Sequence, residues 1–139
     1  MILVDTSIWI DFIRQKSNQR TQTLRHALEN ASEIVTCPAI AQEILQGAKD
    51  EVNFKALNSL LQSIPMIDTA NSFRCATAAA EIFARCRGRG ITLRSPFDCT
   101  IAQIAIENGA ILFHNDHDFL DIAQVAPKLR HEHYLAHAQ

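Results

Sequence analysis

Four acidic residues stand at positions where an α/β protein would gather catalytic groups. Asp5 directly follows the apolar run ILV, Glu43 lies in PAIAQEIL, Asp98 in SPFDC and Asp116 in HNDHD. A buried carboxylate is costly unless it is neutralised, paired or bound to a metal, and carboxylates held close together raise one another's pKa. Oxygen ligands without cysteine suit Mg²⁺ or Mn²⁺. A cluster of these four acids therefore predicts metal-assisted hydrolysis of a phosphodiester.

Each acid taken alone has a simpler structural interpretation. Asp5 and Asp116 are each placed to cap a helix N-terminus by accepting a backbone hydrogen bond. The stretch SPFD at 95–98 has the pattern of a capping box with proline at the first helical position. Glu43 is a good helix former at the margin of an apolar stripe. The metal hypothesis therefore depends on whether the fold brings the four acids together.

The order of predicted elements indicates that it does. Apolar runs with strand character alternate with segments of helical period, which predicts an α/β domain of three layers, α/β/α, around a mainly parallel sheet. Residues that leave parallel strands at their carboxyl ends meet at one edge of the sheet. The predicted strands cover 2–5, 33–37, 65–67 and 110–113, and the predicted helices 7–14, 21–30, 38–47, 51–64, 70–87, 95–109 and 116–123, with RHEHYL at 130–135 as a possible edge strand.

Length and composition narrow the class of protein. The chain has 139 residues, 47% of them hydrophobic and 20% charged, which fits a single globular domain over 1–139. No apolar stretch is long enough to span a bilayer, so we expect a cytoplasmic protein with no membrane partner. The four cysteines form no CxxC pair, which favours reduced, packed thiols over a disulfide or zinc framework.

A basic segment precedes Asp98. The net charge of −2 does not by itself indicate a polyanion partner, but the rest of the chain is slightly basic once the four acids are set aside. The stretch RCRGRGITLR is the densest basic region. A solvated loop that ends a helix explains it adequately, and the alternative is a site for RNA phosphates. The arginines concerned are Arg85, Arg87, Arg89 and Arg94.

Four motifs together resemble a known family. V-D-T-S-I-W-I-D-F at 4–12, Q-E-I-L-Q-G at 42–47, S-P-F-D-C-T-I-A at 95–102 and H-N-D-H-D-F at 114–119 are similar to the PIN domain, in particular to the VapC-type toxin ribonucleases of bacterial toxin–antitoxin pairs. The resemblance runs through nearly the whole chain, in order. It implies a PIN-like fold and a Mg²⁺- or Mn²⁺-dependent endoribonuclease that cuts a translation-related RNA. It also implies a homodimer, inhibited by a cognate antitoxin protein.

The same resemblance assigns roles to individual residues. Asp5, Glu43, Asp98 and Asp116 match the family's acidic quartet, which holds the metal and a nucleophilic water. Thr6 and Ser7 match hydroxyl positions that orient a carboxylate or water through a hydrogen bond. At position 114 the sequence departs from the family, since many members have threonine or serine there. We expect His114 to act as a hydrogen-bond donor in their place.

The remaining acids and histidines have weaker claims. Asp11 lies more than a helical turn beyond the first strand, which favours a solvent-facing or structural role. Asp118 is explained by a metal ligand or by a favourable charge in a helix's first turn, and Asp121 has less claim still. His117, His131, His133 and His137 lack the paired spacing of zinc sites and are interpreted as a solvated tail.

Two other functional classes remain open on the sequence alone. A metal-dependent phosphatase or DNA nuclease would use the same acids. A catalytically silent RNA-binding or regulatory PIN-like module would use them only as helix caps. A phosphoacceptor receiver domain also gathers aspartates at strand ends, but no lysine is suitably placed after AILF to complete such a site.

Overall fold

The computed structural model describes residues 1–30 and 33–133. Within these residues the chain forms a four-stranded parallel sheet in the order β2-β1-β3-β4 and seven helices. The elements run in the order β1 (Ile2–Val4), α1 (Thr6–Ile13), α2 (Gln19–Glu29), β2 (Ile34–Val35), α3 (Pro38–Gln46), α4 (Glu51–Gln62), α5 (Ser72–Gly88), α6 (Phe97–Asn108), β3 (Ile111–His114), α7 (His117–Val125) and β4 (Arg130–His133).

The sheet register places the ends of β1 and β3 side by side. Leu3 pairs with Leu112 and Val4 with Phe113, and the pairing continues for one step because the Asp5 N–H donates to the Phe113 carbonyl at 2.9 Å. The acidic motifs after the two strands therefore begin at the same level of the sheet.

Helices cover both faces of the sheet. Successive strand residues point to opposite faces, and both Leu3 and Val4 are fully buried. Helix α1 packs on β3 and on α2, whereas α6 packs on β3 and belongs to a second group with α5 and α7. Helix α3 contacts both α1 and α6. The predicted three-layer α/β/α architecture is confirmed.

Several predicted boundaries were wrong for local reasons. Helix α2 begins at Gln19, two residues early, because Asn18 and Thr21 form a capping box there. The predicted strand at 65–67 is reduced to a single parallel bridge between Thr36 and Met66. The edge strand within 130–135 is present as β4, and the last two residues of that prediction lie outside the described residues.

Candidate active site

Asp5 caps α1 and is nearly buried. Its side chain is 4% exposed, and its Oδ2 accepts hydrogen bonds from the Ser7 backbone N–H at 3.1 Å and from the Ser7 hydroxyl at 2.6 Å. Burial raises the pKa of Asp5 to about 6, although the bonds from Ser7 oppose that rise. The capping interpretation is therefore correct for Asp5, but capping does not remove the cost of burying its charge.

Asp98 does not take part in a capping box. Helix α6 begins at Phe97, and its N-cap, Pro96, makes no side-chain capping hydrogen bond within the described range 33–133. The Asp98 side chain is buried, and burial raises its pKa to about 8, with further contributions from the charges of Asp5, Asp116 and other nearby acids. The capping-box interpretation of Asp98 was wrong, and among the described residues no backbone N–H donates to its carboxyl to favour the charged form.

Asp98, Asp116 and Asp118 converge most closely. Each can offer one carboxylate oxygen so that the three atoms lie within 4.8 Å of one another. Asp116 is the N-cap of α7, and its Oδ1 accepts the Asp118 N–H at 2.9 Å. Asp118 is 5% exposed. The sequence analysis left Asp118 undecided, and the signal that could have selected it is the D-x-D spacing at the start of a helix that follows a strand.

Glu43 lies across the same cleft. It projects from α3 and lines an open cleft with Ser95, Phe97, Asp98, Asp116 and Asp118. Its charge also contributes to the raised pKa of Asp5 and of Asp98. The structure therefore places all four sequence-predicted acids at the carboxyl edge of the sheet and adds Asp118.

This donor set fits a hard divalent cation. It consists of carboxylate oxygens, at least two of which are held where their charged forms are disfavoured by burial and by one another. Mg²⁺ and Mn²⁺ prefer oxygen ligands and bind through a few carboxylates while keeping water in the remaining positions. Such an ion would neutralise the negative charge that these carboxylates bring together.

Arg94 is a cation already present in the cluster. Its Nη2 lies 2.7 Å from Asp116 Oδ1, and its Nε lies 3.7 Å from Asp118 Oδ2. Its backbone N–H also donates to Asp118 Oδ2 at 2.9 Å. Among the arginines proposed to bind RNA, Arg94 is thus bonded to the candidate ligands themselves.

The other three arginines lie on or directly after α5. Arg85 forms an ion pair of 3.7 Å with Glu81, and the Arg87 guanidinium lies 5.6 Å from the Phe83 ring centroid. Arg89 is the C-cap of α5. These positions agree with a helix C-terminus that favours positive charge, and they leave the RNA-binding role as a prediction.

Thr6 does not make the orienting hydrogen bond expected of it among the described residues, whereas His114 bonds to the acidic motif. The Thr6 hydroxyl is buried and has no hydrogen-bond partner among the described residues. His114 is fully buried and its Nδ1 accepts the backbone N–H of Asp116 at 3.2 Å. Towards the acidic motif His114 is therefore an acceptor, which corrects the expected donor role. Burial, with the neighbouring His131 and His133, lowers the pKa of His114 to about 3.

The interpretation of His131 and His133 as a solvated tail was wrong. Both lie on β4, and their rings stack on His114 with centroid distances of 5.3 Å and 5.8 Å. His114 Nε2 lies 3.1 Å from His131 Nδ1. Since His114 Nδ1 accepts a hydrogen bond, the neutral ring carries its proton on Nε2 and donates it to His131. His117 is exposed, and His137 lies outside the described residues.

Asp11 has a structural role away from the cleft. Its carboxylate lies 3.4 Å from Lys16 Nζ and 3.4 Å from Arg20 Nη2, and it accepts a hydrogen bond of 3.3 Å from Asn18. These contacts join α1 to the start of α2.

The four cysteines are all buried and free.

Comparison with known proteins decides the family. The model of the PIN domain matches residues 2–125. The chain belongs to the PIN-domain family. This PIN domain is 41% identical over 128 residues to Ribonuclease VapC11 of Mycobacterium tuberculosis and to VapC ribonuclease Mb1587 of Mycobacterium bovis, with 90% of this chain and 93% of each relative covered. The resemblance inferred from the four motifs is confirmed.

Solved structures show the same fold. The PIN domain matches a chain of VapBC2 from Rickettsia felis bound to a promoter DNA fragment with a TM-score of 0.73, 23% identity and coverage of 96% of this chain and 98% of the other. It matches VapBC-1 from nontypeable Haemophilus influenzae with a TM-score of 0.73, 19% identity and coverage of 97% and 99%. In the part of the chain that the structure describes, no helix combines the length and apolarity needed to cross a bilayer.

Proposed function

We propose that this PIN domain is a divalent-metal-dependent endoribonuclease that acts in the cytoplasm as the toxin of a VapBC-type toxin–antitoxin pair. The observation that carries the proposal is the convergence of Asp98, Asp116 and Asp118 within 4.8 Å at the carboxyl edge of the sheet. The similarity to proteins named VapC ribonucleases supports the choice of RNA as substrate.

The acidic residues divide into two groups in this proposal. Asp98, Asp116 and Asp118 would hold Mg²⁺ or Mn²⁺, with Asp5 and Glu43 completing the negative wall of the cleft. The bound ion would supply charge neutralisation at the scissile phosphate and help to activate water. Asp5 would contribute negative charge behind these ligands, and its orientation is set by the two hydrogen bonds from Ser7.

The supporting residues fix the carboxylates rather than react. Ser7 orients Asp5 through two hydrogen bonds to a single oxygen, and His114 orients the backbone of Asp116. The Ser7 contacts favour one rotamer of Asp5, and the His114 contact fixes the backbone from which Asp116 projects, so that less reorganisation would be needed when an ion binds.

The partners in this proposal are an antitoxin, a second copy of the chain and an RNA with a role in translation. The antitoxin segment would lie in the apolar groove between α1, α3 and α4, which Ile10, Ile13, Ile44 and Leu57 line and which Glu43 borders. The solved structures similar to this chain include VapBC complexes and a toxin–antitoxin complex from Klebsiella pneumoniae, which supports a protein partner.

Mapping of RNA ends tests the proposal directly. Brief expression of the wild type should produce a discrete set of new RNA ends that Asp98→Asn does not produce. Asp121→Asn, which removes a carboxylate of α7 outside the cluster, is the matched control and should cut as the wild type does. Identical RNA ends with wild type and Asp98→Asn would contradict a nuclease, and RNA binding without any cut would favour the silent RNA-binding module.

Substrate class needs a second assay with purified protein. Matched single-stranded RNA, DNA and a phosphomonoester, each with Mn²⁺, should show cleavage of RNA alone. Turnover of the phosphomonoester or preferential cleavage of DNA would contradict the ribonuclease proposal and support the rival phosphatase or DNA nuclease.

A further inference from the structure

Arg94 holds an unusual position at the acidic cluster. Its guanidinium bonds to Asp116 and approaches Asp118, which are two of the three residues that converge for a cation. The contact joins residues 22 positions apart and is made at the mouth of the cleft, where the Arg94 side chain remains 74% exposed.

The backbone and side chain of Arg94 are held differently. The backbone N–H is fixed by a hydrogen bond of 2.9 Å to the buried Asp118 carboxylate. The side chain reaches Asp116 from the solvent side and can leave by rotation about its own bonds, because the surrounding water can solvate it. The backbone of Arg94 is therefore held at a buried group, whereas its guanidinium contact is exposed to exchange with water.

The guanidinium and a divalent cation need the same carboxylates. Asp116 Oδ1 already accepts the Asp118 N–H and the Arg94 Nη2–H, and a second positive charge beside this oxygen would meet the guanidinium at short range. Like charges at such distances repel. An ion in the cluster and Arg94 in its observed position therefore disfavour each other.

We propose that Arg94 is an internal counter-cation of this site, which neutralises Asp116 and Asp118 when metal is absent and must move away when a divalent cation binds. The inference rests on the metal site of the proposed function. It implies reciprocity, because two ligands that exclude each other weaken each other's binding by the same factor. Metal binding releases the guanidinium into the cleft mouth, and removal of the guanidinium tightens metal binding.

Calorimetric titration of the metal-free protein with Mn²⁺ tests the proposal. Arg94→Gln removes the guanidinium and keeps the backbone N–H that bonds to Asp118. We expect it to bind Mn²⁺ roughly two- to fivefold more tightly than the wild type, as suits the loss of one exposed charge pair. Without metal, the melting temperature of Arg94→Gln should be lower than that of the wild type. Addition of Mn²⁺ should raise the melting temperature of Arg94→Gln by more than it raises that of the wild type.

Arg89→Gln is the matched control. It removes the same charge from the same basic segment, at the C-cap of α5 and not at the carboxylate cluster. It should bind Mn²⁺ as the wild type does, because among the described residues the ion pairs to Asp116 and Asp118 come from Arg94 and not from Arg89. Unchanged or weaker Mn²⁺ binding by Arg94→Gln, or equal tightening by Arg89→Gln, would overturn the proposal.

A second measurement needs no variant. The Nε–H resonance of Arg94 in the wild-type protein, followed by NMR during titration with diamagnetic Mg²⁺, should shift in step with the backbone amides of Asp98 and Asp116. Movement of those amides with a stationary Arg94 resonance would contradict displacement. Failure of the metal site itself is distinguishable, since Mn²⁺ would then bind equally, or not at all, to the wild type and to Asp98→Asn.

Discussion

Ser7 joins Asp5 to the chain segment that follows β3. Its hydroxyl donates a hydrogen bond of 2.6 Å to Asp5 Oδ2 and accepts the backbone N–H of Asn115 at 3.1 Å. One side chain thus sets the position of the first aspartate relative to the segment that carries Asp116, although Ser7 and Asn115 are 108 positions apart in the chain.

Replacement of Ser7 should affect both stability and proton affinity. Ser7→Ala leaves the Asn115 N–H without this acceptor and removes a hydrogen bond that lowers the pKa of Asp5. We expect the free energy of unfolding to fall by about 1–2 kcal/mol and the pH needed for half-maximal Mn²⁺ binding to rise. Ser63→Ala, which removes a surface hydroxyl on α4's C-cap, should leave that pH unchanged. A pH series of Mn²⁺ titrations measures both variants.

Asp118 should be as necessary for metal binding as the acids that the sequence singled out. Asp118→Asn removes one of the three converging carboxylates and weakens the anchor of the Arg94 backbone. We expect Mn²⁺ affinity to fall roughly 10- to 100-fold, measured by calorimetry. Asp121→Asn on the same helix is the control, and equal affinity of Asp118→Asn and the control would show that Asp118 is only a helix residue.

The metal-free protein should become less stable as the pH rises above about 6.5. The folded-state pKa of Asp98 is raised from 3.8 to about 8, so the folded state binds more protons than the unfolded state between these values and loses stability with increasing pH. Asp98→Asn should abolish this decline and raise the free energy of unfolding at pH 8 by roughly 1–3 kcal/mol, since one pKa unit corresponds to about 1.4 kcal/mol. Urea unfolding at a series of pH values in a chelator measures it. If stability still declined with increasing pH in Asp98→Asn, a group other than Asp98 would cause the decline.

His114 should produce the opposite slope at lower pH. Its pKa is lowered from 6.5 to about 3, so the unfolded state binds the extra proton between these values and stability falls as the pH decreases through this range. Between about pH 4 and 6.5 this slope opposes the loss that the raised pKa values of Asp98 and Asp5 produce, and above pH 6.5 the decline due to Asp98 is left unopposed. His114→Gln keeps an acceptor for the Asp116 N–H and does not titrate, so in the same unfolding series its stability below pH 6.5, relative to its stability at pH 6.5, should exceed that of the wild type. A slope equal to the wild type would exclude His114 as its source.

The basic segment should contribute RNA affinity with little selectivity. Replacement of Arg85, Arg87 and Arg89 together by glutamate should weaken RNA binding and reduce the slope of log affinity against log salt. The reduction should be about 0.7 for each phosphate of a single strand that the variant no longer neutralises. Binding is measured on the Asp98→Asn background to prevent cleavage. An unchanged slope would show that these arginines only stabilise the end of α5.

The sequence determined the fold class and the edge at which the four acids meet. Alternating strands and helices are local patterns, and the rule that ligands lie beyond the carboxyl ends of parallel strands then places Asp5 and Asp116 together without any knowledge of the packing. Asp98 follows a helix and not a strand, so it was added to them as a helix start and through the family resemblance. Helix capping could be judged in the same way for Asp5, but not for Asp98, where the local pattern predicted a capping box that the start of α6 does not form.

Tertiary structure decided which groups complete the site. Arg94 bonds to Asp116 and Asp118 across 22 and 24 positions of the chain, and His131 reaches His114 across 17. Local periodicity contains no information on such contacts, because they follow from how α7 and β4 pack beside β3. The sequence therefore identified the acids that need a cation. Only the packing showed that Asp118 joins them and that an arginine already lies against them.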